Sequence, residues 1–291
     1  MPSAEIEITE TLVRLLLDRQ FPALTQPLRR MANGWDNVIF RLGEDLAVRM
    51  PRRALAAELI GHEQRWLPVI APTLPLAVPV PLRSGRPDAG YPWPWSITPW
   101  FDGHSLAESS AADRRPHATA LGHFYAALHV PAEREAPANA YRGIPLPGRS
   151  ELLERHLSAA GLDEESRIRD QWAELSTVPG WSDAPVWLHG DPHPGNVVIS
   201  EGKIAAVIDF GDLTAGDPAT DLALGWLAFD RTGREDFAAA YSAERTLTAS
   251  TWDRARCWAL CLAVALIANS DDEPVLAGVA RFALQQVLAE R

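Results

Sequence analysis

The sequence predicts an α+β protein with a small sheet-rich part followed by a larger helical part. Within residues 1–101, strand and hairpin patterns alternate with single helices, whereas helical periodicities separated by Pro, Gly and Asp breaks fill most of the remainder. A chain of 291 residues is long enough for two compact units. Its 47% hydrophobic and 22% charged residues are typical of a folded, core-forming protein.

The first part is predicted to be a small antiparallel sheet with one helix packed on it. A first helix is expected over residues 9–20, where leucines recur among polar residues after a Thr that can cap it. Residues 38–50 form two apolar runs around Gly43-Glu44-Asp45, which predicts a β-hairpin. Helical spacing returns over 53–70, with Leu55, Leu59, His62 and Trp66 along one side. The Pro-rich stretch 72–99 can hold only short edge or irregular strands.

The second part, residues 102–291, is predicted to be mainly helical. Short strands interrupt it at 186–188, 197–199 and 204–208, around a Glu201-Gly202 turn. Helices are expected at 116–129, 150–159, 164–176, 218–228, 233–243, 250–268 and 274–289.

Composition favours a cytoplasmic protein with no membrane partner. The N-terminus lacks the basic and then apolar order of a secretory signal. The longest apolar run, 257–268, is well short of the ~20 residues that cross a bilayer, so it predicts a buried helix. Cys257 and Cys261, the two cysteines, are spaced along one helical face and carry no metal or redox signature.

The charge of the chain argues against a nucleic-acid partner, because phosphate backbones favour clustered Lys and Arg, and the net charge is -11. The acid lies in the second part: residues 102–291 hold 16 basic and 28 acidic residues. This field would concentrate a cationic substrate, although an acidic solvated surface that keeps the protein soluble has the same composition.

Two polar loops follow apolar strands in the strand-rich region of the second part. One contains residues 189–196, His-Gly-Asp-Pro-His-Pro-Gly-Asn, and the other contains 208–212, Ile-Asp-Phe-Gly-Asp. Phosphoryl transfer needs an acceptor for the hydroxyl proton and oxygen ligands for Mg²⁺. Asp191 is suited to the first role, and Asn196 and Asp209 to the second.

Taken together, these loops resemble the aminoglycoside phosphotransferase family, a branch of the protein-kinase-like fold. The resemblance implies a bilobal protein: residues 1–101 bind nucleotide and include an interlobe hinge at about 97–101, and residues 102–291 carry catalysis and substrate binding. It implies ATP or GTP as co-substrate with Mg²⁺. It also implies that His189 supports the catalytic loop and that Asp221 braces it.

The family's phosphate-binding lysine has no counterpart, since Lys203 is the only lysine and lies in the distal hairpin turn. Arg49 occupies the matching strand position, and a guanidinium can bind phosphate oxygens in a bidentate fashion. A carboxylate on the next helix should orient it, with Glu63 preferred over Glu58.

The remaining nucleotide contacts are also implied by the resemblance. Gly34 and Asn37 lie where the family's nucleotide-covering loop would be. Thr98 and Trp100 fall in the segment that resembles the interlobe connection, whose backbone holds the purine.

The acceptor is predicted to be a small molecule, with a cationic, aminoglycoside-type antibiotic preferred. A macrolide and small metabolites such as choline or homoserine are the alternatives. Trp226 and Phe229 could stack on a ring, and ordinary core aromatics are the alternative that is favoured for each of them. Acidic residues of the later helices that could hold ammonium groups are Asp230, Asp271, Asp272 and Glu273. A monomer is plausible.

Two other classes of function fit parts of the sequence. His189, Asp191 and His193, with Asp209 nearby, also have the spacing of metal ligands, as in a zinc or iron hydrolase. A catalytically silent, kinase-like binding protein is favoured only by the missing lysine.

Overall fold

Two units make up the chain, Met1–Pro72 with Ala77–Asp102, and Thr73–Leu76 with Gly103–Arg291. The structure, a computed structural model, describes residues 3–270 and 272–290. The first unit ends one residue beyond the predicted boundary, and the short segment Thr73–Leu76 belongs to the second.

The first unit is a five-stranded antiparallel sheet with strand order β1-β2-β3-β5-β4. The predicted hairpin is present, with Gly43 in the left-handed region at φ 63° in its turn. Thr9 caps the first helix by accepting a hydrogen bond from Leu12 N–H. The elements are α1 (Glu10–Gln20), β1 (Leu28–Asn33), β2 (Asn37–Leu42), β3 (Leu46–Pro51), α2 (Ala54–Ile70), β4 (Arg83–Gly85) and β5 (Trp95–Pro99).

The buried face of α2 differs in part from the predicted one. Trp66 is buried, but Leu55 is 60% exposed, and the buried series also contains Ile60, Glu63, Leu67 and Ile70. These buried residues have helical spacing, but one of them, Glu63, is a carboxylate. A pattern that counts only apolar residues therefore does not identify this side of the helix. Glu63 lies on the buried face because it pairs with Arg49 of β3.

The second unit is mainly helical, as predicted, with two small sheets. β6, β8 and β9 form one sheet and β7 with β10 the other. The helix predicted over 218–228 is two short helices that meet at Ala223. The elements are β6 (His104–Ser105), α3 (Ala111–Arg114), α4 (Ala118–Leu128), α5 (Ser150–Ala160), α6 (Glu165–Leu175), β7 (Val186–Leu188), β8 (Val197–Ser200), β9 (Lys203–Val207), β10 (Thr214–Gly216), α7 (Ala219–Leu222), α8 (Leu224–Ala228), α9 (Arg231–Ser242), α10 (Ala249–Asn269) and α11 (Pro274–Ala289).

The apolar run that was predicted to be a buried helix lies within α10. Cys257, Trp258 and Leu260 are fully buried there. Among the helices of the described residues, none has the length and apolarity needed to cross a membrane.

Close packing of α4 on α9 leads to a testable prediction. A Cβ added at Gly122 of α4 would lie 2.5 Å from the Phe237 carbonyl oxygen and 2.7 Å from the Ala240 Cβ. We therefore expect Gly122→Ala to destabilise the protein by about 1–3 kcal/mol through overpacking. Thermal unfolding should show a lower Tm.

The matched control is Gly61→Ala in α2, where the added Cβ has no atom within 4 Å. Alanine is the better helix former by about 0.8–1.0 kcal/mol, so this variant should be more stable than the wild type. Equal effects of the two substitutions would contradict the α4–α9 packing.

Candidate active site

The β8–β9 hairpin brings Asn196 and Asp209 to the same end of a small sheet. Asn196 directly precedes β8 and Asp209 closely follows β9, and Val197 pairs with Val207 in the antiparallel register. Ile208 N–H donates to the Asn196 carbonyl oxygen over 2.8 Å. Two residues 13 positions apart in the sequence are thereby held at neighbouring backbone positions.

The side chains at this end fit a hard cation such as Mg²⁺. Asn196 uses its amide nitrogen to donate to the Asp191 carbonyl oxygen over 3.0 Å, and no hydrogen bond among the described residues uses its Oδ1. Asp209 is exposed and has a φ of 62°. Magnesium is usually held by one or two protein oxygens, with waters and phosphates as the other ligands, and this donor set meets that requirement.

Asp191 is bracketed by two nitrogen-bearing side chains. His193 Nε2 lies 3.1 Å from Asp191 Oδ2, and an Arg142 guanidinium nitrogen lies 3.3 Å from Oδ1. Asn196 Nδ2 also donates to Oδ2 over 3.2 Å. The carboxylate is therefore fixed in direction, although 29% of its side chain stays exposed.

This setting shifts the pKa values of both members of the Asp191–His193 pair. Burial alone would raise the pKa of Asp191, but the charge and hydrogen bond of His193 and the charge of Arg142 outweigh it and hold the pKa well below its usual range. For His193, burial would lower the pKa, but the charge and hydrogen bond of Asp191 outweigh that effect and raise it. Asp191 is thus ionised throughout the physiological pH range.

The loop that carries Asp191 is held by the buried carboxylate of Asp221. Oδ2 accepts the His189 backbone N–H at 2.7 Å and Oδ1 accepts the Gly190 N–H at 2.9 Å. His129 lies 3.2 Å from the same carboxylate through Nε2, and its Nδ1 lies 3.0 Å from the Tyr241 hydroxyl. Asp221 therefore touches the loop backbone directly, and His129 links it to α9.

Both ring nitrogens of His189 are used within the loop framework. Nε2 lies 2.9 Å from the Ile208 carbonyl oxygen, and Nδ1 accepts the Asp191 backbone N–H at 3.2 Å. The ring also packs edge-on against Phe210 at 4.6 Å. His189 is therefore placed to support the two loops, and neither nitrogen is available as a metal ligand. Across the described ranges, no group of three or more His, Cys, Asp or Glu side chains has a metal-binding arrangement.

Sequence reasoning missed Arg142 and gave Asp212 no role. Arg142 Nε lies 3.2 Å from Asp212 Oδ2, and Asn139 donates to Asp212 Oδ1 over 2.7 Å. Asp212 stood inside a recognised motif, so its proximity to the site could have been inferred. Arg142 lies in an irregular segment 49 residues before Asp191, and no sequence pattern marks it.

In the first unit, Arg49 and Glu63 form a buried, bidentate ion pair. Arg49 NH2 donates to Glu63 Oε1 over 3.0 Å, and NH1 bonds to Oε2. Arg49 is 7% exposed and Glu63 is fully buried, whereas Glu58 is exposed. Of the two candidate carboxylates, the structure pairs Glu63 with Arg49.

The other predicted nucleotide-binding residues lie around the same sheet. Gly34 N–H donates to the Asn37 carbonyl oxygen over 2.9 Å in the β1–β2 turn, and Asn37 Oδ1 is buried without a partner. Thr98, on β5, is buried. Trp100 follows β5. Its backbone N–H donates to the Asp45 carbonyl oxygen over 2.7 Å, and the centre of its ring lies 5.1 Å from the Arg41 guanidinium.

The residues proposed for the acceptor are not gathered into one site. Asp230 caps α9 by accepting the Gly233 N–H at 2.9 Å. Asp272 and Glu273 are exposed just before α11, and Asp271 lies outside the described residues. Trp226 and Phe229 are fully buried, which agrees with the favoured alternative that they are core aromatics and contradicts stacking on a substrate ring.

The Asp191–His193 contact predicts a pH-dependent signal. In magnesium-free protein, NMR should give His193 a pKa above its ordinary 6.5. In Asp191→Asn, the carboxylate charge is lost and burial dominates, so the pKa should fall below that value. Because the folded-state pKa is raised, the pair stabilises fully below pH 6.5 and loses its effect as pH rises through the raised pKa. An unshifted His193 in the wild type would contradict the pairing.

Two curated relatives share only a segment with this chain. Both are error-prone DNA polymerases, from Bordetella parapertussis and Bordetella bronchiseptica, and both are 44% identical over 62 residues. The match covers 21% of this chain, and the chain spans only 5% of the length of these relatives.

Solved structures match the fold over nearly the whole chain. The GDP complex of an aminoglycoside 2'-phosphotransferase-IIIa is 17% identical, with a TM-score of 0.68, 97% of this chain covered and 99% of that one. The GDP and kanamycin complex of APH(2")-IIia gives 16% identity and a TM-score of 0.69, with 97% and 100% covered. A macrolide 2'-phosphotransferase from Brachybacterium faecium is 21% identical, with a TM-score of 0.64; the match covers 95% of this chain and 98% of that one.

These likenesses confirm the predicted protein-kinase-like fold. The model of the phosphotransferase enzyme family matches residues 27–258, which include the strand of Arg49 and both loops around Asp191 and Asp209. The chain therefore belongs to the phosphotransferase enzyme family, the class of enzyme that its loop motifs predicted.

Proposed function

We propose that this protein transfers the γ-phosphate of ATP or GTP to a hydroxyl of a small molecule. The observation that carries the proposal is the convergence of Asp191, Asn196 and Asp209 on two loops that a backbone hydrogen bond joins. Family membership supports the reaction class. Similar structures include GDP and ADP complexes of phosphotransferases, which supports a nucleotide co-substrate.

Asp191 is proposed to receive the acceptor hydroxyl and take its proton. A carboxylate with a lowered pKa is a weak base, but the transition state of phosphoryl transfer is loose, and positioning and electrostatics contribute most of the rate. His193 and Arg142 fix the direction of the carboxylate. Asp191 therefore orients the hydroxyl toward the phosphorus and accepts the proton as the new bond forms.

Asn196 and Asp209 are proposed to hold Mg²⁺ through their side-chain oxygens. The ion, when bound, would neutralise charge on the phosphate oxygens. Asn196 combines this role with its hydrogen bonds to Asp191, so one amide couples the base to the proposed metal position.

Unit 1 is proposed as the nucleotide-binding lobe. Arg49 would bind the α- and β-phosphates, and the bidentate contact with Glu63 would fix its guanidinium plane. Gly34 and Asn37 would approach the phosphates, and the segment with Thr98 and Trp100 would hold the base.

The acceptor is proposed to be a small polar alcohol. The acidic second unit supports the predicted aminoglycoside-type antibiotic, and a macrolide or a metabolite such as choline or homoserine remains the alternative. A screen for magnesium-dependent phosphate transfer, with both nucleotides and all these acceptor classes, tests the proposal. Turnover with none of them, alongside tight nucleotide binding, would instead support a silent binding protein.

Removal of the proposed base is the first functional prediction. Asp191→Asn keeps the shape of the side chain but removes its charge, and we expect kcat to fall by about 10²–10⁴-fold. Nucleotide affinity should stay close to that of the wild type. Asp183→Asn, an exposed carboxylate before β7, is the control and should keep full activity. Wild-type kcat in Asp191→Asn would exclude the proposed role.

The Arg49–Glu63 pair supplies the second functional prediction. Glu63→Gln leaves the buried guanidinium without its counter-charge, so we expect lower stability by about 3–5 kcal/mol and weaker nucleotide binding. Glu58→Gln removes an exposed carboxylate from the same helix and should change neither. Isothermal titration with a non-hydrolysable nucleotide and thermal unfolding measure both effects. Indistinguishable variants would show that the pair has no role in nucleotide binding.

A further inference from the structure

A buried histidine, His129, lies behind the loop that carries Asp191. Its side chain is 1% exposed, and that of Asp221 is fully buried. Nε2 of the histidine lies 3.2 Å from Asp221 Oδ2, and Nδ1 lies 3.0 Å from the Tyr241 hydroxyl. The proposed reaction makes no direct use of His129, although the histidine contacts the carboxylate that holds the loop.

The chemistry of its partners fixes the direction of both hydrogen bonds of His129. An ionised carboxylate only accepts, so Nε2 carries a hydrogen and donates to Asp221. In the neutral ring, Nδ1 is then an acceptor, and the Tyr241 hydroxyl donates to it. Burial raises the pKa of Tyr241, so this hydroxyl keeps its hydrogen. A chain of donors therefore runs from Tyr241 on α9 through His129 to Asp221.

Asp221 depends on this donor because a buried carboxylate is stable only when hydrogen-bond donors replace the water that it loses. Its oxygens accept the backbone N–H groups of His189 and Gly190. His129 is the third donor, and among the described residues it is the only side chain that donates to this carboxylate. If the third donor is lost, a shift of the carboxylate, entry of water or uptake of a proton must compensate. Each of these changes alters the bonds that hold the loop.

His129 is itself held in place by backbone contacts. It is the C-cap of α4, and its N–H donates to the Tyr125 carbonyl oxygen over 2.9 Å. The carbonyl oxygen of the next residue, Val130, accepts the Trp187 N–H over 3.0 Å. Trp187 belongs to β7, the strand that leads into His189. The histidine is thus fixed relative to the start of the loop, as a group that positions another must be.

We propose that His129 is a positioning residue of the phosphotransferase reaction. It holds the Asp221 carboxylate, which in turn holds the backbone immediately before Asp191, and Tyr241 supports it from α9. The inference rests on the proposed function, in which Asp191 is the group that must be aimed at the acceptor. Because the effect of His129 passes through the loop and not through a contact with substrate, its loss should lower kcat more than it changes KM.

Two amide substitutions separate the contact with Asp221 from simple burial. In His129→Gln, the amide nitrogen reaches the position of Nε2 and still donates to Asp221, whereas in His129→Asn it reaches only the position of Nδ1. We expect kcat of His129→Asn to fall by about 10–100-fold, because a small misplacement of a reacting group has an effect of this size. His129→Gln should restore most of the activity.

Rates are measured below the Tm of every variant, with Mg·ATP and Mg·GTP and with kanamycin, homoserine or water as the acceptor. Tyr241→Phe removes only the hydroxyl that supports the ring, so its kcat should fall less than that of His129→Asn. The matched control is His123→Gln, which changes an exposed histidine of the same helix. It should keep the wild-type kcat.

Amide hydrogen exchange, followed by NMR, reports on the loop without turnover. The N–H groups of His189 and Gly190 are bonded to Asp221, so their exchange rates depend on that carboxylate. Both should exchange faster by about tenfold or more in His129→Asn than in the wild type or His129→Gln. Amides of α10 should exchange equally in all these proteins, which distinguishes a local effect from a general loss of stability.

The outcomes that overturn the inference differ from those that overturn the function. A lower Tm of His129→Asn, with wild-type kcat and unchanged exchange of the two loop amides, makes His129 a core residue alone and leaves the phosphotransferase function intact. Equal losses of kcat in His129→Asn and His129→Gln also overturn the inference, since a donor at the Nε2 position would then have no effect.

Two further results are decisive. Should His129→Asn not fold, Tyr241→Phe takes its place, and unchanged kcat with unchanged loop exchange in that variant overturns the inference. If the wild type transfers phosphate to none of the acceptors, water included, the proposed function fails, and the positioning role fails with it even where the loop amides respond as expected.

Discussion

The geometry of the candidate site depends on one buried carboxylate, that of Asp221. Its two oxygens accept the backbone N–H groups of His189 and Gly190, so they fix the chain immediately before Asp191. The loop can follow this path only because Gly190 has no side chain: at its φ of 88°, a Cβ would lie 2.2 Å from the Asp212 carbonyl oxygen. A buried charge and the absence of a side chain at Gly190 thus bring the two motif loops into contact, and this contact positions the residues proposed for catalysis.

The surroundings of Asp191 and Asp212 shift the pKa values of these two neighbouring carboxylates in opposite directions. His193 and Arg142 hold the pKa of Asp191 low against the effect of burial. Asp212 has its pKa raised, first by burial, while Arg142 opposes this effect and the charge of Asp191 adds to it. Two acids that share one arginine therefore differ in their readiness to ionise, as in sites where one carboxylate must stay charged. Asp191 is the charged one, which suits a group that receives a hydroxyl hydrogen bond.

Most of the fold could be predicted from the sequence, and the site only in part, for a physical reason. Helices and hairpins follow from local periodicity, and Asp191 and Asn196 share a loop whose spacing fixes their separation. Arg142 and His129 lie 49 and 92 residues from the acids that they contact. His129 is the C-cap of α4, but neither residue belongs to a motif that identifies its partner. The buried face of α2 is only partly predictable, because it is an apolar series that also contains Glu63, whose partner Arg49 lies on β3. Contacts between residues that are far apart in the sequence produce no local sequence pattern from which they could be predicted.

Asp209 supplies an argument that does not depend on resemblance. Among the described residues, Ala89, Glu201 and Asp209 are the non-glycine residues with positive φ. Glu201 lies in the tight β8–β9 turn, and Ala89 in the turn closed by the Asp88–Tyr91 bridge, so turn geometry accounts for both. Asp209 follows a strand end, where its Oδ1 accepts the Gly211 N–H over 3.4 Å in an Asx-type turn. A left-handed backbone still costs about 1–3 kcal/mol at a non-glycine residue and persists only if its surroundings enforce it. They do so through Ile208, whose N–H and carbonyl oxygen are held by Asn196 and His189. Strain maintained in this way on an exposed carboxylate is what a preorganised ligand position requires.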